Sequence, residues 1–222
     1  MKKCKTGTSI VLTVAAAVSA LQFAALTPAY ASPTPAAAAS PAAVKSDAAA
    51  PLAYKVAVQT QYQQTNYYCV PASSSMSLST FGVKVGQPTL AKQMKTTKSG
   101  TDGRNATPVL NAYVKSRGYA YTVVTDVNGN PAVLMNRVAQ NVGGLHRAPT
   151  LAVWMERLPW NKGKVKGARV GHAVIAYGYD RLKGTITVFD PWRPTGGVHT
   201  VSAGVLAGTL QEGGGMRYIS KL

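Results

Sequence analysis

The run Gln63-Gln64-Thr65-Asn66-Tyr67-Tyr68-Cys69-Val70-Pro71-Ala72-Ser73 decides how the rest of the chain is read. Up to Tyr68 it is polar and aromatic without a helical period, which predicts a loop. Pro71 suits the first turn of a helix, where its missing N–H would have had no partner. Small residues follow with Met76 and Leu78, and Gly82 is placed to stop the helix. The prediction is a helix over 69–80 with the Cys69 thiol at its start. A thiolate is stabilised at a helix N-terminus or beside an imidazolium, and it is the reactive form of cysteine.

Cys69 matters more because of what the chain does before it. Lys2, Lys3 and Lys5 lead an apolar stretch from Ile10 to Leu26, and Ala29-Tyr30-Ala31 has the pattern of a signal-peptidase site. Residues 1–31 therefore read as a signal peptide and the protein as secreted after cleavage near Ala31, with no stable membrane anchor afterwards. Cys4 leaves with the signal, so the mature chain holds one cysteine and no internal disulfide. An unpaired thiol in a secreted protein is either buried or reactive. Residues 32–51 are almost wholly Ala, Pro and Ser, a linker or propeptide with too few large apolar groups to form a core. Residues 52–222 form one domain with enough chain for a sizeable core.

The expected elements run from helices to strands. Tyr54 to Val58 alternates as an entry strand. Helices are predicted from Gln87 to Met94, from Thr107-Pro108 to a stop at Gly118, and from Pro131 to Val142, with a loop over 96–105. Strands are predicted over 119–125, 150–154, 172–179, 185–190, 198–201 and 216–220. Helices first and an antiparallel sheet second is an α+β arrangement. Folding strands 172–179 and 185–190 about a turn near residues 181–182 sets His172 opposite Asp190, as neighbours on one face. Asp190 would then fix the imidazole tautomer, and His172 would face the thiol. The Cys69 backbone N–H and the Gln63 side-chain amide are the donors available to an oxyanion.

Together, Gln63 to Ala72, the Gly171-His172 strand and Asp190-Pro191 resemble the papain-like cysteine peptidases. They are most similar to the bacteriocin-processing, double-glycine leader peptidase group and its secreted relatives. In that group a glutamine precedes the cysteine by six residues and the cysteine opens a helix. The histidine starts a strand, and an aspartate followed by proline ends the next one. The segment Leu90 to Thr101 is also similar to secreted members. The resemblance implies a papain-like fold, with N-terminal helices packed on a C-terminal antiparallel sheet. It implies Cys69 as nucleophile, His172 as base, Asp190 as its orienting residue and Gln63 as the oxyanion glutamine. The group usually has glycine after the cysteine; here Val70 stands there. Transporter and membrane segments of the true leader peptidases are absent, so leader processing is not the expected role.

Residues 32–222 carry 21 Lys and Arg against 7 Asp and Glu, a net +14 spread along the chain. That is a basic surface, with an anionic cell wall as one partner it would suit; no nucleic-acid motif accompanies it. Cys69, His146, His172 and His199 are the thiol and imidazole groups left after cleavage. None shows a ligand-pair spacing, so neither metal nor cofactor is called for. Trp192, close after Asp190, is a candidate wall of the substrate groove. Three functions follow: a secreted bacterial cysteine hydrolase acting on a peptide or protein substrate, an acyltransferase of transpeptidase or transglutaminase type on the same residues, and a catalytically idle wall-binding or inhibitor-like module.

Overall fold

The computed structural model describes residues 50–222. The signal-peptide reading of residues 1–31 lies outside the described residues, as does all of the 32–51 segment before Ala50. Seven strands among the described residues form one antiparallel sheet. They are β1 (Ala53–Lys55), β2 (Tyr119–Val124), β3 (Thr150–Trp154), β4 (Gly171–Asp180), β5 (Thr185–Asp190), β6 (Gly197–Ser202) and β7 (Met216–Lys221). The helices are α1 (Cys69–Ser79), α2 (Gln87–Gln93), α3 (Gly103–Val114), α4 (Pro131–Ala139) and α5 (Ala203–Thr209). The strand order is β2-β7-β3-β4-β5-β6, with β1 paired to the far end of β4.

β4 is buried from His172 to Tyr179. Successive residues of a strand point to opposite faces, so both faces of β4 are covered, and its near-continuous apolar run is what such a strand needs. One apolar cluster gathers α4, α5 and the central strands around Leu151, Val174, Ile175 and Leu206; a second gathers α2, α3 and β2 around Leu90, Leu110 and Tyr121. α1 serves both, giving Met76 to the first and Leu78 to the second.

Every residue of α1 from Pro71 to Leu78 is buried although four of the eight are serines. Buried hydroxyls need partners. Ser73 Oγ donates to Ala173 O (3.0 Å), Ser75 Oγ to Val85 O (2.7 Å) and Ser77 Oγ to Ala148 O (2.5 Å), while Ser77 Oγ also meets the Tyr121 hydroxyl (2.7 Å). These bonds pin α1 to β4 and to the segment before β3, which fixes where its first residue lies.

Three local expectations need correction. α3 starts at Gly103, not at Thr107, because the Asp102 carboxylate caps it by accepting the Arg104 N–H (2.9 Å); Pro108 lies inside the helix. α4 ends at Ala139 and a π-turn over Gln140–Gly144 replaces its expected last turn. There the buried Asn141 side chain donates to Ile219 O (2.8 Å) and accepts the Ile219 N–H (2.9 Å), so it serves β7 like a strand partner. α5 was not expected; it starts where Ser202 Oγ accepts the Val205 N–H (3.2 Å).

The β4–β5 register also differs. Ile175 pairs with Phe189 and Ala176 with Val188, and a bulge intervenes before Gly178 pairs with Thr187. One step beyond Phe189, Asp190 comes level with Val174, two residues from His172. A shift of two keeps the same face, so His172 and Asp190 are diagonal neighbours rather than opposite ones.

Candidate active site

Cys69 opens α1 and is partly exposed. The preceding loop folds back on itself, with the Tyr68 N–H donating to Thr65 O (3.3 Å). The amides of Cys69 and Val70 fall among those a helix start leaves without an intrahelical partner, and Pro71 has none to offer. Val70 tucks against the second apolar cluster, which keeps its β-branched side chain on the core side of the helix start.

His172 lies near the start of β4 and is 5% exposed; Asp190 ends β5 and is fully buried. His172 Nε2 donates to Asp190 Oδ1 at 2.7 Å, and the imidazole shares its cleft wall with Cys69. With Nε2 taken by the carboxylate, Nδ1 is the nitrogen left for the thiol. Burial alone would disfavour the imidazolium, but the bond and charge of Asp190, with the nearby Cys69 adding to them, outweigh it and raise His172 to about 10. Burial would likewise raise Asp190. His172, the Trp192 N–H and the Trp160 indole together hold it below the usual carboxylate range.

Those last two donors complete a cradle. The Trp192 N–H donates to Asp190 Oδ1 (2.8 Å), and Trp160 Nε1 donates to Oδ2 (2.8 Å). Trp160 stacks flat on His199 with ring centroids 3.9 Å apart, and His199 Nε2 lies 3.1 Å from Thr195 O, on the turn that follows Asp190. Gly196 closes that turn: a Cβ there would collide with the carbonyl oxygens of Asp190 and Trp192. Trp160 carries no sign of this role in the sequence. Its partner lies thirty residues away, and no local pattern links the two.

Gln63 is buried in the loop before α1 and shares a cleft of about 460 Å³ with Tyr67, Cys69, His172 and Trp192. Trp192 thus stands on the cleft wall as expected. One Gln63 Nε2 hydrogen goes to Thr65 O (2.8 Å), and an amide nitrogen carries two. The Gln63 backbone N–H donates to Pro191 O (2.9 Å), tying the loop to the strand exit that carries Asp190. The buried Gln87 of α2 holds the same loop with three bonds. Its Oε1 accepts the Gln64 N–H (2.9 Å), and its Nε2 donates to Tyr62 O (2.9 Å) and Gln61 Oε1 (2.7 Å). Gln87 was read only as the first residue of a helix.

The structure therefore gathers Gln63, Cys69, His172 and Asp190 from four segments around one cleft. The remaining imidazoles sit elsewhere: His146 stacks on Tyr54 and His199 on Trp160. A buried carboxylate, an imidazole it orients and a partly exposed thiol at a helix start can hold a thiolate–imidazolium pair and transfer an acyl group.

Residues 54–209 match the model of the Peptidase_C39 like family. No curated protein matches the chain. Among solved structures the fold is similar to the peptidase domain of Streptococcus ComA, a bifunctional ABC transporter involved in a quorum-sensing pathway, at 17% identity over 76% of this chain and 99% of that one, with a TM-score of 0.51. It is similar to a double-glycine-motif protease from an AMS/PCAT transporter in complex with its leader peptide (14% identity, 76% and 95%, TM-score 0.52). It is also similar to xylellain, a cysteine protease from Xylella fastidiosa (12% identity, 79% and 88%, TM-score 0.52). At such identities the likeness to these structures is one of fold.

Proposed function

The chain belongs to the Peptidase_C39 like family of cysteine peptidases, and on that premise we propose that it hydrolyses amide bonds of a peptide or protein substrate, with Cys69 as nucleophile. The observation that carries the reading is the His172 imidazole, bonded to the buried Asp190 and set in the same cleft as the Cys69 thiol at the start of α1.

The Cys69 thiolate attacks the scissile carbonyl carbon. The resulting oxyanion is met by the Cys69 backbone N–H and the second Gln63 Nε2 hydrogen. As the C–N bond breaks, His172 Nδ1–H protonates the leaving amine and a thioester remains on Cys69. Neutral His172 then takes a proton from water, whose oxygen displaces sulfur and releases the acid. Asp190 stays ionised throughout and holds the ring. We place this activity outside the cell, from the signal-like start of the sequence, with the basic surface keeping the enzyme near anionic wall polymers.

The test is iodoacetamide labelling of Cys69 across pH 4 to 9, on protein starting at Ser32, alongside mass-spectrometric detection of peptide cleavage. Labelling stays fast below pH 6 in the wild type and collapses in His172→Ala, and Cys69→Ala loses all cleavage while keeping its circular dichroism. A labelling rate that rises only near the free-thiol pKa of about 8.5 would refute the pair. Cleavage surviving in Cys69→Ala would refute the nucleophile.

A further inference from the structure

Arg217 of β7 is a buried charge that the proposed chemistry does not use. It is 4% exposed. Its Nη2 donates to Gly103 O at 3.2 Å, and its Nε has no partner. None of the ion pairs among the described residues includes it. A guanidinium has five N–H donors arranged as a fork that fits a carboxylate. Burying one against a single neutral carbonyl is unfavourable unless an anion completes it.

Arg217 lines the larger cleft, about 880 Å³, which also runs past Cys69, Gly100, Trp154 and His172. Two further charged residues on that wall cancel each other. Arg104 Nη2 donates to Asp102 Oδ2 (2.6 Å), and Arg104 Nε to Asp102 Oδ1 (3.1 Å). The nearby Glu212 carboxylate takes the Trp154 indole N–H (3.0 Å) and lies 3.6 Å from Arg169. With His172 paired to Asp190 and Arg104 to Asp102, Arg217 is the cation lining this cleft that no carboxylate among the described residues answers.

We propose that this cleft binds a carboxylate of the substrate, either an Asp or Glu side chain or a chain terminus, within a few residues of the bond presented to Cys69, and that Arg217 selects for it. This rests on the reading of the cleft at Cys69 as the peptidase site. Arg217 acts on specificity, since its contact is with a substrate group away from the reacting atoms.

The experiment uses a position-scanning library of acetylated hexapeptides in which one position at a time is Glu, Asp, Gln or Asn, with free or amidated C-termini. Two readouts are taken on the wild type: cleavage by mass spectrometry, and protection of Cys69 from iodoacetamide. At one position the acidic peptides are cleaved, and protect, roughly ten- to hundred-fold better than their amide counterparts, the range set by one hydrogen-bonded charge. Preference for an internal acid or for the free terminus identifies the carboxylate's source. Arg217→Met brings the acid-to-amide ratio to about one. Arg217→Lys keeps a reduced preference and serves if the Met variant does not fold. Cleavage without acidic preference would overturn this inference and leave the peptidase reading standing. Acid-selective protection without any cleavage would uphold the carboxylate site and sink the peptidase reading. An unchanged ratio in Arg217→Met would reassign the preference to another residue.

Discussion

Asp190 takes its donors from three parts of the chain: the His172 ring, the Trp192 amide and the Trp160 indole. Each bond to a buried carboxylate favours the charged form and restricts how the group can turn. Trp160→Phe leaves an aromatic ring to face His199 but removes the N–H together with part of the indole's bulk. It is expected to destabilise the protein by about 1–3 kcal/mol, the penalty for a buried acceptor losing its partner, read from the urea midpoint at unchanged m-value. No loss of stability would mean that water or a shifted side chain satisfies Oδ2 and that the indole is only packing. The residues legible in the sequence were those whose spacing carried a motif, Gln63 with Cys69, and His172 with Asp190. Trp160, Gln87 and Arg217 were illegible because each acts through a contact far along the chain, and their residue types alone say nothing. Arg217 left one trace, a cation inside the otherwise apolar and aromatic run Met216-Arg217-Tyr218-Ile219.

At the scale of elements, the α1 helix was readable because proline and glycine mark its ends and the serines between are small enough to be enclosed. Its depth was not, since a serine-rich helix looks solvent-facing until Ala148, Ala173 and Val85 offer their carbonyls. The start of α3 was misplaced because Thr107-Pro108 is itself a helix-start pattern and competes with the Asp102 cap five residues earlier. The His172–Asp190 pairing survived a wrong register because the error was an even number of residues; a bulge is invisible in composition, but face is conserved under a shift of two. Between elements, Gln87 couples α2 to the loop that carries Gln63. Gln87→Leu conserves volume and strips all three bonds, so the loop loses its brace while α1 and the sheet stay packed. The expected result is a split: kcat on a peptide falls roughly ten- to hundred-fold, short of deleting an oxyanion donor outright, while Cys69 labelling by iodoacetamide, which forms no oxyanion, changes little. Equal losses in both would show that Gln87 supports the whole helix start rather than the oxyanion side.

For the molecule as a whole, the His172–Asp190 joint lies where β4 meets β5, so its protonation is tied to folding. Unfolded, the imidazole releases its proton near 6.5; folded, it holds it to about 10. Between those values the unfolded state binds fewer protons, so the stability from this pair is complete below about pH 6.5 and drains away as pH rises through the folded value. Asp190 works in the other direction. Its folded pKa lies below the ordinary 3.8, so its contribution is complete above that value and is lost as pH falls through the folded one. Both describe one interaction, which leaves a plateau between roughly pH 4 and 6.5. Tyr121 adds a separate alkaline limit: burial pushes its phenol above the ordinary 10.0, so ionisation favours the unfolded chain only beyond that pH. Melting temperatures of wild type and His172→Gln from pH 3 to 11 separate these contributions. The gap between the two proteins should be widest on the plateau, narrow steadily from pH 6.5 and close near pH 10, while both fall together above it. A gap that stays constant from pH 6 to 10 would mean that the folded imidazole loses its proton where a free one does, and that the Asp190 cradle orients the ring without holding its charge.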